Sequence, residues 1–164
     1  MSKVWEQGMV IVRTVTVEHP VDRVFAYLSD FTNTNDWDPG TVRTERVAGE
    51  GGVGTRYHNT SKFLGRETQL DYLVTEHVPD EKLALRGENA TVVAHDTMTF
   101  VRTVTGNGGA AGSPGSGTGT TVTYRAEFEF KGLAKLVAPL FAPAFKKLGD
   151  EAEQGLRRAL GRLA

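Results

Sequence analysis

Tyr57, Tyr72 and Tyr124 each fall in a run of alternating apolar and polar residues, on the apolar side of the run. A phenol on a dry face must find a partner for its hydroxyl or cost free energy. These hydroxyls therefore reach backbone or one another at the rim of a cavity, or they hydrogen-bond a carbonyl or hydroxyl of a bound molecule that apolar walls alone could not orient. Arg102 keeps the alternation of Met98 and Phe100, which places it inward near a strand end. It either snorkels to water there or anchors an anion or enolate. Trp37, in Asp36-Trp37-Asp38-Pro39, has two compatible roles: a core plug at the open end of a sheet and a lid over a pocket mouth.

Other chemistries lack their residues. There is no cysteine, which removes disulfides, thiolate metal sites and a Cys nucleophile. His19, His58, His77 and His95 are scattered, and His58 alternates opposite to Tyr57, so neither a metal site nor a histidine base is expected. Asp71 and Glu127 alternate away from Tyr72 and Phe128, toward solvent. No buried carboxylate is expected on this reading. A G-x-S-x-G strand-to-helix turn is also missing, which disfavours a hydrolase.

The elements that must position these residues follow from periodicity. Val10 to Glu18 alternates as a strand and stops at His19-Pro20. Val21 to Asp30 switches to helical spacing, with Val21, Val24, Phe25 and Leu28 on one stripe, and Phe31 to Trp37 reads as a second short helix or turn. Strands follow at Val42 to Ala48, Val53 to Phe63, Glu67 to His77, Lys82 to Gly87, Val92 to Val104 and Thr120 to Lys131. In the last, Val122, Tyr124, Ala126, Phe128 and Phe130 share one face. Thr105 to Gly119 holds seven glycines and reads as a flexible hairpin loop; without a helix behind it, it is no phosphate cradle.

Gly132 to Ala164 reads as a terminal helix whose stripe includes Leu133, Val137, Leu140, Phe141, Phe145, Leu148, Leu156 and Leu160. Pro139 and Pro143 either kink it or delay its start. Its Leu133 to Phe145 segment reads as core, with transient membrane contact during ligand loading as the other reading. The fold class is α+β: a curved seven-stranded antiparallel sheet wrapped around one long C-terminal helix, with two short helices between the first two strands. A helix of ~10 Å diameter is too slim to fill such a concavity. Large side chains plug the gap, or a pocket survives, lined by Phe25, Leu28, Trp37, Tyr57, Leu70, Tyr72, Met98, Phe100, Arg102, Tyr124, Phe128, Phe141 and Phe145.

At 164 residues, residues 1–164 are expected to form a single domain, with a flexible stretch over 1–8. Nineteen basic against twenty acidic residues, with no block of either sign, disfavour nucleic-acid binding. No run approaches ~18 apolar residues and no signal-peptide core is present, so a cytoplasmic monomer or homodimer without membrane insertion is expected.

The run Val15-Thr-Val-Glu-His-Pro-Val-Asp-Arg-Val-Phe-Ala-Tyr-Leu-Ser-Asp30, with Asn35-Asp-Trp-Asp-Pro-Gly40, resembles the opening of the START-like, helix-grip superfamily (the SRPBCC group). Gly52-Val-Gly-Thr-Arg-Tyr57, Gly119-Thr-Thr-Val-Thr-Tyr124 and the helix led by Gly132 extend the likeness over nearly the whole chain. It is closest to the polyketide cyclase/dehydrase-like and lipid-transport branch. The resemblance implies a helix-grip fold that carries a hydrophobic small molecule (lipid, polyketide or aromatic metabolite) without a cofactor. It also admits a cyclase or aromatase working by positioning and enolate stabilisation, and a protein-partner role like that of the toxin–antitoxin relatives.

Overall fold

The computed structural model describes residues 8–105 and 117–163. The strands are β1 (Met9–Val17), β2 (Thr41–Ala48), β3 (Arg56–Phe63), β4 (Arg66–Val78), β5 (Lys82–Glu88), β6 (Val92–Thr105) and β7 (Gly117–Phe130). They form one sheet in the order β1-β7-β6-β5-β4-β3-β2, with every neighbouring pair antiparallel. Helices α1 (Val21–Ser29) and α2 (Thr34–Trp37) link β1 to β2, around a 3-10 turn at Phe31–Asn33. This is the helix-grip arrangement. The glycine-rich loop expected over 105–119 lies mostly outside the described residues, as does the stretch expected to be flexible at the N-terminus.

The terminal helix begins later than its apolar stripe suggests. It divides into α3 (Ala134–Val137), a 3-10 turn (Ala138–Phe141) and α4 (Ala142–Gly161). Pro139 and Pro143 each occupy a first turn, where no helical hydrogen bond is lost. The expected core stripe is therefore interrupted: Leu133, Val137 and Leu140 are exposed, as is Leu136 beside them.

Two devices draw α4 close to its neighbours. A Cβ on Gly155 would stand 1.7 Å from the Trp37 carbonyl oxygen, so only glycine lets α4 pass over the end of α2. On β1, Arg13 pairs with Asp150 of α4 at 2.9 Å and with Glu153 at 3.7 Å. Helix α2 is itself pinned to β2, because the Asn35 side chain accepts from Thr44 N at 2.9 Å and donates to Thr44 O at 3.1 Å.

The interior is packed unevenly. At one end α1 and the C-terminal half of α4 fill the concavity with Val24, Phe25, Leu28, Leu156 and Leu160 against Leu83, Met98 and Phe100. The other end holds a smaller buried cluster of Ile11, Ala126 and Phe145, edged by partly buried aromatic rings. The slim helix thus closes half of the hollow and leaves the other half open.

Candidate functional site

The open half is a cavity of about 650 Å³. Strands β1, β3, β4, β6 and β7 supply its walls, and α3, the 3-10 turn and α4 supply its roof. Phe145 anchors the roof, with ring centroids 4.7 Å from Phe63, 5.1 Å from Phe128 and 5.8 Å from Phe130. The mouth lies between the β3–β4 turn and α3, where the exposed Lys62, Leu64 and Arg66 face Val137.

The inner end is polar. Asp96 on β6 is 4% exposed, and its Oδ1 accepts from the Tyr124 hydroxyl at 2.9 Å. The Tyr72 phenol on β4 adjoins the same carboxylate and favours its charged form. Burial pushes the Asp96 carboxyl up to about 6, against the pull of the two phenols that favour its charged form. Burial likewise pushes both phenols well above their ordinary value, and the Asp96 charge adds to it. Asp38, just after α2, brings a second carboxyl to the cavity wall; burial raises it, while bonds from Gly40 N (3.0 Å) and Thr41 Oγ1 (2.9 Å) act the other way.

Local packing fixes these groups. Tyr72 pairs across β4–β5 with Gly87, and a Cβ there would meet the Tyr72 ring at 2.6 Å. The glycine gives that ring room to lie against the neighbouring strand. Tyr124 is held by the edge of Trp37, with centroids 5.6 Å apart and planes at 76°.

Of the residues expected at the pocket, Leu70, Tyr72, Tyr124, Phe128, Phe141 and Phe145 line the cavity. Phe25, Leu28, Met98 and Phe100 belong instead to the packed half, because α1 fills the space they face. Trp37 is buried behind Tyr124 and covers no mouth. Tyr57 is buried against Phe31 and borders a separate polar cleft with Asp30, Arg46 and His77. Arg102 is not inward: its side chain is 77% exposed and lies 4.0 Å from Asp80, since β6 runs on past the sheet's covered portion there. The expectation of no buried carboxylate is also corrected. Asp96 shares the alternation of Met98 and Phe100, so the same parity that suggested an inward Arg102 marks it. Among the described residues, no group of three or more His, Asp or Glu is placed to hold a metal ion.

A family model described as "Polyketide cyclase / dehydrase and lipid transport" matches residues 9–164. The chain belongs to this family. Family membership fits the apolar hollow, and solved structures agree on the architecture. The Zhui aromatase/cyclase from Streptomyces sp. R1128 superposes with a TM-score of 0.71 at 12% identity, covering 94% of each chain. A START superfamily protein from Mycobacterium smegmatis gives 0.66 at 17% identity, covering 95% of this chain and 97% of that one. A protein from Thermus thermophilus gives 0.70 at 16% identity, with 93% and 97% covered. At such identities the likeness is one of fold. No curated protein matches the chain in sequence. No helix among the described residues is long and apolar enough to cross a membrane.

Proposed function

We propose that this member of the polyketide cyclase / dehydrase and lipid transport family binds or carries a hydrophobic small molecule, a lipid, polyketide or aromatic metabolite, in the cavity under α4. The carrying observation is the hollow itself, about 650 Å³ walled by Phe128, Phe130, Phe141 and Phe145, with one polar cluster at its inner end. That size and polarity suit a small-molecule site. Apolar contact supplies affinity, and Tyr72, Tyr124 and Asp96 orient the guest. Native mass spectrometry of protein purified without organic extraction tests this reading. A co-purifying lipophile, or saturable uptake of N-phenyl-1-naphthylamine with a blue-shifted emission, supports it; an empty protein that leaves the probe's emission unchanged contradicts it.

Asp96 favours a second reading, cyclase-type chemistry in the same space. A carboxyl held near 6 is suited to proton transfer at neutral pH, and the adjoining phenols suit an enolate. Incubation with a poly-β-ketone mimic separates the two: cyclised product that Tyr72→Phe or Tyr124→Phe abolishes identifies an enzyme, and unchanged mimic identifies a carrier.

A further inference from the structure

We infer that the inner end of the cavity receives a hydrogen-bond donor, so the guest is a lipophile whose buried end carries a hydroxyl or amine and not a carboxylate, ester or ether. This rests on the binding reading above and specifies the guest's chemistry.

The argument is a census of hydrogens. Asp38, Asn59, Ser61, Tyr72, Asp96 and Tyr124 are polar side chains of the cavity lining, grouped around the Asp96 carboxylate and the Asn59 amide. The Tyr124 hydroxyl gives its proton to Asp96 at 2.9 Å, and the Tyr72 hydroxyl adjoins the same carboxylate, a charged acceptor that draws its proton. Ser61 donates to Asn59 Oδ1 at 2.6 Å. The Asn59 amide donates to Thr44 Oγ1 at 2.8 Å and to Thr41 Oγ1 at 3.4 Å, and Thr41 in turn donates to Asp38. Apart from that of Tyr72, every proton in the set has an acceptor within the protein. What the set offers the lumen is chiefly lone pairs: the Tyr124 and serine oxygens, and the carboxylate oxygens of Asp96 and Asp38.

A surface of acceptors discriminates by what it leaves unsatisfied. A guest hydroxyl or amine supplies the missing proton, while an ether or ester sets oxygen against oxygen. A carboxylate does worse, since it joins two carboxyls in an enclosed apolar space. The positive charges of the lining, Lys62 and Arg66, are exposed at the mouth beside Glu67. The cavity is therefore polarised, with acceptors within and its cations at the entrance.

Competition against bound N-phenyl-1-naphthylamine tests this with four guests of one shape: 2-naphthol, 2-(aminomethyl)naphthalene, 2-methoxynaphthalene and 2-naphthoate. The naphthol or the amine should displace the probe at a concentration at least about tenfold lower than the ether and the naphthoate. Naphthol in the lead marks a neutral donor, and the amine in the lead marks a cation; both support the inference. In Asp96→Asn, where an amide can donate, the preference should fall to within about twofold. Equal or tighter binding of the ether or the naphthoate by the wild-type protein overturns the inference while leaving the cavity reading intact. A probe that never enters the protein overturns both.

Discussion

Asp96 and Tyr124 stand one diagonal step apart across the β6–β7 ladder, and the phenol donates to the carboxylate at 2.9 Å inside an otherwise apolar hollow. The arrangement keeps an acid group where burial opposes its charge, at a cost in stability that follows pH. The Asp96 carboxyl is held at about 6 in the fold, against 3.8 ordinarily. The folded protein therefore holds this proton more tightly than the unfolded chain does. Its contribution is complete below ~pH 4 and is lost as pH rises through about 6. Asp96→Asn removes that loss, so the variant should be more stable than wild type at ~pH 8 by on the order of 2–3 kcal/mol, with the gap narrowing toward ~pH 4. Urea unfolding at the two pH values checks it; a gap that widens on acidification would be the wrong sign.

Removing the partner acts oppositely. Tyr124→Phe takes away a donor that favours the charged carboxylate, so the Asp96 carboxyl should titrate still higher, seen in its ¹³C carboxyl shift. The loss should cost about 1.5–3 kcal/mol at neutral pH, where the carboxylate is charged, and less in acid. An unmoved titration would mean that the bond contributes nothing to the site.

Much of this was legible in the chain. Strict alternation in Val122 to Phe130 gives the face of Tyr124 and Phe128, and the stripe of Val21, Val24, Phe25 and Leu28 gives α1. Parity carries Asp96 inward with Met98 and Phe100, yet an acid among apolar neighbours is easily assigned to solvent. Arg102 shows the limit of parity: it fixes which side a residue faces, not whether anything covers that side. Nor does periodicity show which half of a concavity is filled, because that depends on where α1 lands and how closely α4 descends.

The descent of α4 depends on Gly155. A methyl group there would point at the Trp37 carbonyl oxygen from 1.7 Å, and neither backbone has a rotamer with which to yield. Gly155→Ala should therefore cost about 3 kcal/mol or more and loosen Trp37 against Tyr124. Gly161→Ala, at the end of the same helix with nothing within 4 Å, should be neutral or stabilising by up to ~1 kcal/mol. Thermal melts of the pair separate close approach from the general preference of helices for alanine; equal effects would contradict the packing account.

The direct measurement is a crystal structure of the protein soaked with 6-bromo-2-naphthol, read by the anomalous signal of bromine. The account predicts one strong peak beneath α4 among Phe63, Phe128 and Phe145, with the hydroxyl directed to Asp96 and Tyr124. A peak confined to the exposed leucines of the α3 segment, or no peak with those rings closed over the space, would contradict it.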